Sequence, residues 1–159
     1  MNDRPQYIAL IKAECSKRNL DPQLICAIVD TESAFNTWAV RYESGVMRPV
    51  AVSVCAKVNR ISEDTETQCQ RISWGLGQVL GSTSRWLGYR DHLPALCDPK
   101  QGIFWTCETF EKLGDPYKFR EEKIAAYNAG SVKKHDDGSF VNQKYVDKVL
   151  QYYRGSKYE

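Results

Sequence analysis

Glu32 is the side chain on which chemistry is most readily built. It lies in DPQLICAIVDTESAFNTWAVRYE, residues 21–43, near the end of an apolar helical pattern. Leu24, Ile25, Ile28 and Val29 recur at three- and four-residue intervals and turn one face toward a core. Glu32 follows Ile28 by one turn and falls at the edge of that face, where partial desolvation favours the protonated carboxyl. A carboxylic acid kept protonated near neutral pH can pass its proton to a leaving oxygen, as in breaking a bond between sugars. Position alone equally admits an ordinary solvated glutamate in a last helical turn.

A second stretch with chemical content is SWGLGQVLGSTS, residues 73–84. Its three glycines let a ligand lie against the main chain, with Gln78 offering an amide. The same letters also describe a glycine-rich turn between two helices. Trp105, at helical spacing, is read as packing rather than as a sugar platform. The six cysteines (15, 26, 55, 69, 97 and 107) include no CxxC pair, and His92 and His135 are far apart, so no metal site is expected. The thiols are expected to be buried, or paired as disulfides formed outside the cytosol. Cys55/Cys69 and Cys97/Cys107 would close short loops and are the pairs to test first.

Helices must hold these groups. The pattern predicts one over Arg4–Arg18, with Tyr7, Ile8, Ile11 and Cys15 on one stripe and Asn19 ending it. Asp21 caps the Glu32 helix and Pro22 opens it; the helix is expected to end near Asn36, with Phe35 and Trp38 anchoring the turn. Residues 41–49 read as a loop, 50–58 as a short helix or strand, and 63–71 as an exposed helix or a lobe beside a cleft. His92–Cys97 is a short helix. Asp98 caps the next, which carries Ile103, Phe104, Cys107, Phe110 and Leu113 and stops at Gly114. Phe119–Asn128 follows with Ile124, Ala125 and Tyr127 inward. After a solvated loop at 131–139 comes Val141–Arg154, with Tyr145, Val146, Val149 and Tyr152 at core spacing. The fold class is mainly α, with room for a small β-hairpin or irregular lobe in the 43–72 region.

With 159 residues and no second core, a single domain over 1–159 is expected. A formal charge of +2 without a block of like charges gives no nucleic-acid partner and at most weak attraction to an anionic wall. The polar start MNDRPQYIALIKAEC lacks the regions of a signal peptide, and no run reaches membrane-spanning length. The expectation is a soluble monomer, made in a cytoplasm without its own export signal and without stable membrane insertion.

Three segments, in this order, resemble the soluble lytic transglycosylases, which share a lysozyme-like α-fold with goose-type lysozymes. They are DPQLICAIVDTESAFN, SWGLGQV and IAAYNAGS; KYVDKVLQYY is similar to that family's closing helix. The resemblance implies a lysozyme-like domain with a glycan-binding cleft, peptidoglycan glycan strands as partner, and no cofactor. It implies that Glu32 is the acid and then the base, and that Tyr127 and Asn128 face it. Ser33, Ser73, Gly75, Leu76, Gln78 and Tyr145 would contact the glycan. Cleavage between N-acetylmuramic acid and N-acetylglucosamine would end in an internal anhydro ring, the substrate's own 6-hydroxyl replacing a second carboxyl.

Two departures bear on that reading. Gly77 stands where the family usually has Met, and Arg41-Tyr42-Glu43 where members often have Ser nine residues past the Glu. Glu43 could activate water as a second carboxyl and make the protein a muramidase with Glu32, or it could pair with Arg41 or Arg48. A non-catalytic wall-binding or virion structural module is the third reading. The combination of WAVRYE with SWGLGQV looks most like phage-encoded wall-degrading proteins, which reach the wall through a holin or within a virion.

Overall fold

From Leu24 to Val29 six consecutive residues are at most 6 % exposed. The Glu32 helix is therefore enclosed on every side over this stretch, where the spacing asked for only one apolar face. Cys26 and Ala27 fill the back of the helix without presenting a polar group, so nothing there needs water.

The computed structural model describes residues 3–45, 49–155 and 158. Its helices are α1 (Arg4–Arg18), α2 (Pro22–Ser33), α3 (Val52–Asn59), α4 (Glu63–Gln70), α5 (Gly81–Trp86), α6 (Pro99–Gly114), α7 (Arg120–Ala129) and α8 (Gln143–Gly155). A 3-10 turn spans Leu93–Cys97, and strands β1 (Val40–Tyr42), β2 (Ile72–Trp74) and β3 (Val79–Leu80) form one antiparallel sheet in the order β1-β2-β3. The fold is mainly α, as expected. Among the described residues no helix is long and apolar enough to cross a membrane. Two compact units are present, Met1–Thr31 with Cys107–Glu159, and Glu32–Thr106.

In the first unit α1 buries Tyr7, Ile8, Ile11 and Cys15, and Asn19 leaves the helix in the left-handed region, returning its N–H to the Cys15 carbonyl. Asp21 Oδ1 accepts from the Gln23 amide at 3.0 Å, the cap that opens α2. Arg18 ties α1 to the C-terminal half of α6, since its guanidinium reaches Glu14 (2.7 Å), Glu108 (2.8 Å) and Glu111. Helix α7 buries Ile124 to Tyr127 and stops at Gly130, φ 75°. Helix α8 starts at Gln143, two residues later than its pattern suggests, and Gln143 Oε1 takes the Phe140 amide (3.0 Å). Val146, Val149 and Leu150 form its buried stripe, while Tyr145 and Tyr152 are half-buried at the edge.

The second unit corrects several expectations. Helix α2 stops at Ser33 instead of near Asn36, because Ala34 (φ 50°) and Phe35 (φ 62°) are both left-handed and no helix continues through them. Phe35 is buried and anchors the turn; Trp38 is 75 % exposed and does not. Arg41 and Tyr42, read as loop, belong to β1, with Val40 opposite Trp74 and Tyr42 opposite Ile72. The hairpin is at 72–80, not within 43–72, whose described part holds α3 and α4; Val46 to Arg48 lie outside the described residues. Phe104 is 40 % exposed, edge-on to Trp105, so the inner face of α6 in this unit rests on Ile103. Trp105 packs edge-on to Tyr89 at 5.2 Å, as the packing reading expected.

Helix α4 is exposed over most of its length, as its polarity suggested, but two of its polar side chains point inward. Glu66 and Gln70 are fully buried, and Arg85 of α5, also 0 % exposed, closes on Glu66 through Nε (2.7 Å) and Nη2 (3.0 Å). Gln70 donates to Glu66 (2.9 Å), and Arg85 Nη1 donates to the carbonyls of Tyr89 and Asp91. Burial raises the Glu66 pKa, but the hydrogen bonds from Arg85 and Gln70 outweigh it and hold the carboxyl below its usual range. All six cysteines are free, so neither proposed pair is bridged. Five are buried and Cys69 is half-buried. Cys107 shares a hydrogen bond with Cys15, which pushes the Cys107 thiol up and lowers that of Cys15.

Two measurements check this packing. Arg85→Met should cost about 3–5 kcal/mol in urea unfolding at pH 7, because Glu66 is left buried and charged. Glu66 has a lowered folded pKa, so the pair's contribution is present above the usual 4.5 and is lost as pH falls through the folded value. In the variant the Gln70 hydrogen bond still favours the charged form of Glu66 but the Arg85 contacts no longer offset its desolvation, and the deficit should shrink on acidification. A water-soluble thiol reagent applied to the native protein should modify Cys69 ahead of the other five, which should react only on unfolding.

Candidate active site

Glu32 is the second-last residue of α2 and is half-buried. The neighbouring Ser33 hydroxyl donates to the Leu76 carbonyl at 2.8 Å, joining the helix end to the glycine turn. The chain then reverses through left-handed Ala34 and Phe35, with the Asn36 amide returning to the Ser33 carbonyl (3.0 Å). Thr37, buried, donates to the Cys97 carbonyl. This threonine was not singled out by sequence; a hydroxyl directly after a turn-forming Asn was the available signal.

The turn 75–78 between β2 and β3 is fastened on three sides. Gly75 (φ 67°) donates its N–H to the Ala39 carbonyl (2.8 Å), and a Cβ here would lie 2.4 Å from the Leu96 carbonyl oxygen. Only glycine fits, since both dihedral angle and space exclude a side chain. Gln78, itself left-handed (φ 48°), donates through Nε2 to the carbonyls of Ala39 and Gly75, both at 2.9 Å. Its amide nitrogen is thus committed to the protein. Leu76 is fully buried and Ser73 is 3 % exposed. Gly75 and Gly77 are buried too, and Gln78 is half-buried, its side-chain oxygen being an acceptor.

Glu43 is held on both sides: its Oε1 accepts from Arg41 Nε and from Ser73 Oγ, each at 2.8 Å. This is the ion pair that sequence offered as the alternative to a second catalytic carboxyl. Arg48, the other suggested partner, lies outside the described residues. Among the described residues no group of acidic, histidine and cysteine side chains could hold a metal ion.

The remaining candidates belong to the first unit. Tyr127 is buried on α7, its ring tilted against Phe110 at 6.3 Å. Asn128 is exposed, and Asn142 Nδ2 donates both to its Oδ1 and to the Ala125 carbonyl, each at 3.0 Å. That fork joins the end of α7 to the segment before α8, on whose first turn Tyr145 lies half-buried.

One family model matches the chain, described as the transglycosylase SLT domain and covering residues 9–149. No curated protein and no solved structure matches. The match runs through α2, the glycine turn and α7, and so includes Glu32, Gln78 and Tyr127.

Because Gln78 closes the turn, Gln78→Ala should lower the chemical unfolding midpoint, costing about 0.5–1.5 kcal/mol as two carbonyls lose a side-chain donor and keep their backbone ones, the N–H groups of Gly75 and residue 78. A residue serving only a ligand would leave the midpoint where it is.

Proposed function

Since this chain belongs to the transglycosylase SLT domain family, acting on peptidoglycan, we propose that it cleaves the β-1,4 bond between N-acetylmuramic acid and N-acetylglucosamine with formation of a 1,6-anhydromuramoyl product. The observation that carries this reading is a half-buried carboxyl, Glu32, at the tip of a helix whose run Leu24–Val29 is buried, inside the matched region. Its proton goes to the glycosidic oxygen as that bond breaks and positive charge develops at the anomeric carbon. The muramoyl 6-hydroxyl then bonds to the anomeric carbon, and the Glu32 carboxylate takes the hydroxyl's proton. The acid is regenerated and no water is consumed.

In this reading the glycan lies against the half-buried Gln78 at the end of the turn, with its side-chain carbonyl as acceptor. Gly75, Leu76 and Ser73 act by shaping that turn, and Ser33 by tying it to the Glu32 helix. Tyr127, Asn128 and Tyr145 enter on their sequence motifs. Glu43 receives no catalytic role, because Arg41 and Ser73 already engage its carboxylate. The reading places the protein's action at the cell wall.

Digestion of purified peptidoglycan followed by mass spectrometry should show anhydromuropeptides. Glu32→Gln should reduce them by at least about a thousandfold, the scale of losing a general acid with its proton. Glu43→Gln should retain most activity and the same product. Reducing-end products that disappear in Glu43→Gln would instead establish hydrolysis with two carboxyls.

A further inference from the structure

Tyr158 lies beyond the last residue of α8, yet it is 1 % exposed. Its hydroxyl donates to Asp30 Oδ2 at 3.1 Å, the same oxygen that takes Arg4 Nη2 at 2.7 Å. The Arg4 guanidinium lies 5.5 Å from the centre of the Tyr158 ring. Gln23 brackets the tyrosine's backbone, donating to its carbonyl (3.3 Å) and accepting its N–H (3.4 Å). Both Gln23 and Asp30 are on α2, and Asp30 stands two residues before Glu32.

Helix α8 adds two further contacts to α2. Lys148 Nζ donates to the Thr31 carbonyl (3.4 Å), one of the last carbonyls of α2, where a cation is also favoured by the helix dipole. At the opposite end the Tyr153 hydroxyl donates to Asp21 Oδ2 (2.8 Å), on the residue that caps the helix. Apolar packing already fixes Leu24 to Val29. It does not fix Asp30 to Ser33, which are half-buried and form the last turn, where helices fray. Two of these polar contacts, from the Tyr158 hydroxyl to Asp30 and from Lys148 to the Thr31 carbonyl, fall on that turn.

We propose that Tyr158 is a positioning residue for Glu32: through Asp30 it immobilises the last turn of α2 and so fixes the carboxyl that follows. The inference rests on the reading of Glu32 as the acid. A displacement of about 1 Å at a reacting group can cost a hundredfold in rate, more than the single lost hydrogen bond to the largely buried Asp30 carboxylate takes from global stability.

The test is Tyr158→Phe, which keeps the ring and the Arg4 contact and removes only the hydroxyl. On soluble glycan strands kcat should fall about tenfold, part of the loss a misplaced group can cause, with KM unchanged and the melting midpoint lowered by only a few degrees, the scale of one lost hydrogen bond. Hydrogen exchange should quicken at the amides of 30–33 and not at 24–29. Wild-type kcat in Tyr158→Phe, while Glu32→Gln is inactive, overturns the inference and leaves the reading of Glu32 standing. A fall in kcat that tracks a lowered midpoint with exchange raised throughout α2 also overturns it, because the tyrosine would then be merely structural. Full activity in Glu32→Gln would remove the reading and the inference together.

Discussion

The ion pair between Glu66 and Arg85 is the constraint on which the second unit depends. Neither side chain has any contact with water, so each N–H and each oxygen must find a partner inside the protein. Arg85 meets this by reaching Glu66 and the carbonyls of Tyr89 and Asp91, and Gln70 by joining Glu66 to both backbone groups of Val50. The placement matters as much as the chemistry. Glu66 is on the helix just before β2 and Arg85 on the helix just after β3, so one buried pair holds both ends of the hairpin that carries Gln78. At the same junction a side chain on Gly81 would come within 2.5 Å of the Cys69 carbonyl, which shows how closely α4 and α5 approach.

That hairpin is built as a rigid wall. The carbonyls of Ala39 and Leu76, the N–H of Gly75 and the amide of Gln78 are all spent within the protein. The 3-10 turn lies close against it, and both Gly75 and Gly102 lack a side chain where the Leu96 carbonyl comes in. Such a turn costs little to hold in place when a sugar arrives, because the ordering is done during folding. The two left-handed residues after Ser33 have a related effect, ending α2 abruptly so that Glu32 lies at a tip rather than along a helix side.

The chemistry of one carboxyl is consistent with how the other is used. Glu43, the nearest candidate in sequence for a second catalytic acid, is spread between a guanidinium and a serine hydroxyl and braces β1 against β2. A reaction in which the substrate supplies its own nucleophile has no need of it.

The sequence by itself determined α1, α2, α6, α7 and α8 to within a few residues, the cap at Asp21, the apolar run around Glu32 and the motifs that led to the family, because each is written within about one or two helical turns of chain, while α3 stayed open between helix and strand. It also carried the ion pair of Glu43, whose partner Arg41 is two residues away. Tertiary structure alone decided that Glu66 of α4 is buried against an arginine 19 residues further on, that Trp38 is outside while Phe35 is inside, that the cysteines are unbridged, and that Gln78 serves the turn. In each of those cases the deciding partner is remote in sequence, and the cost of leaving a polar group buried without it has no trace in local spacing.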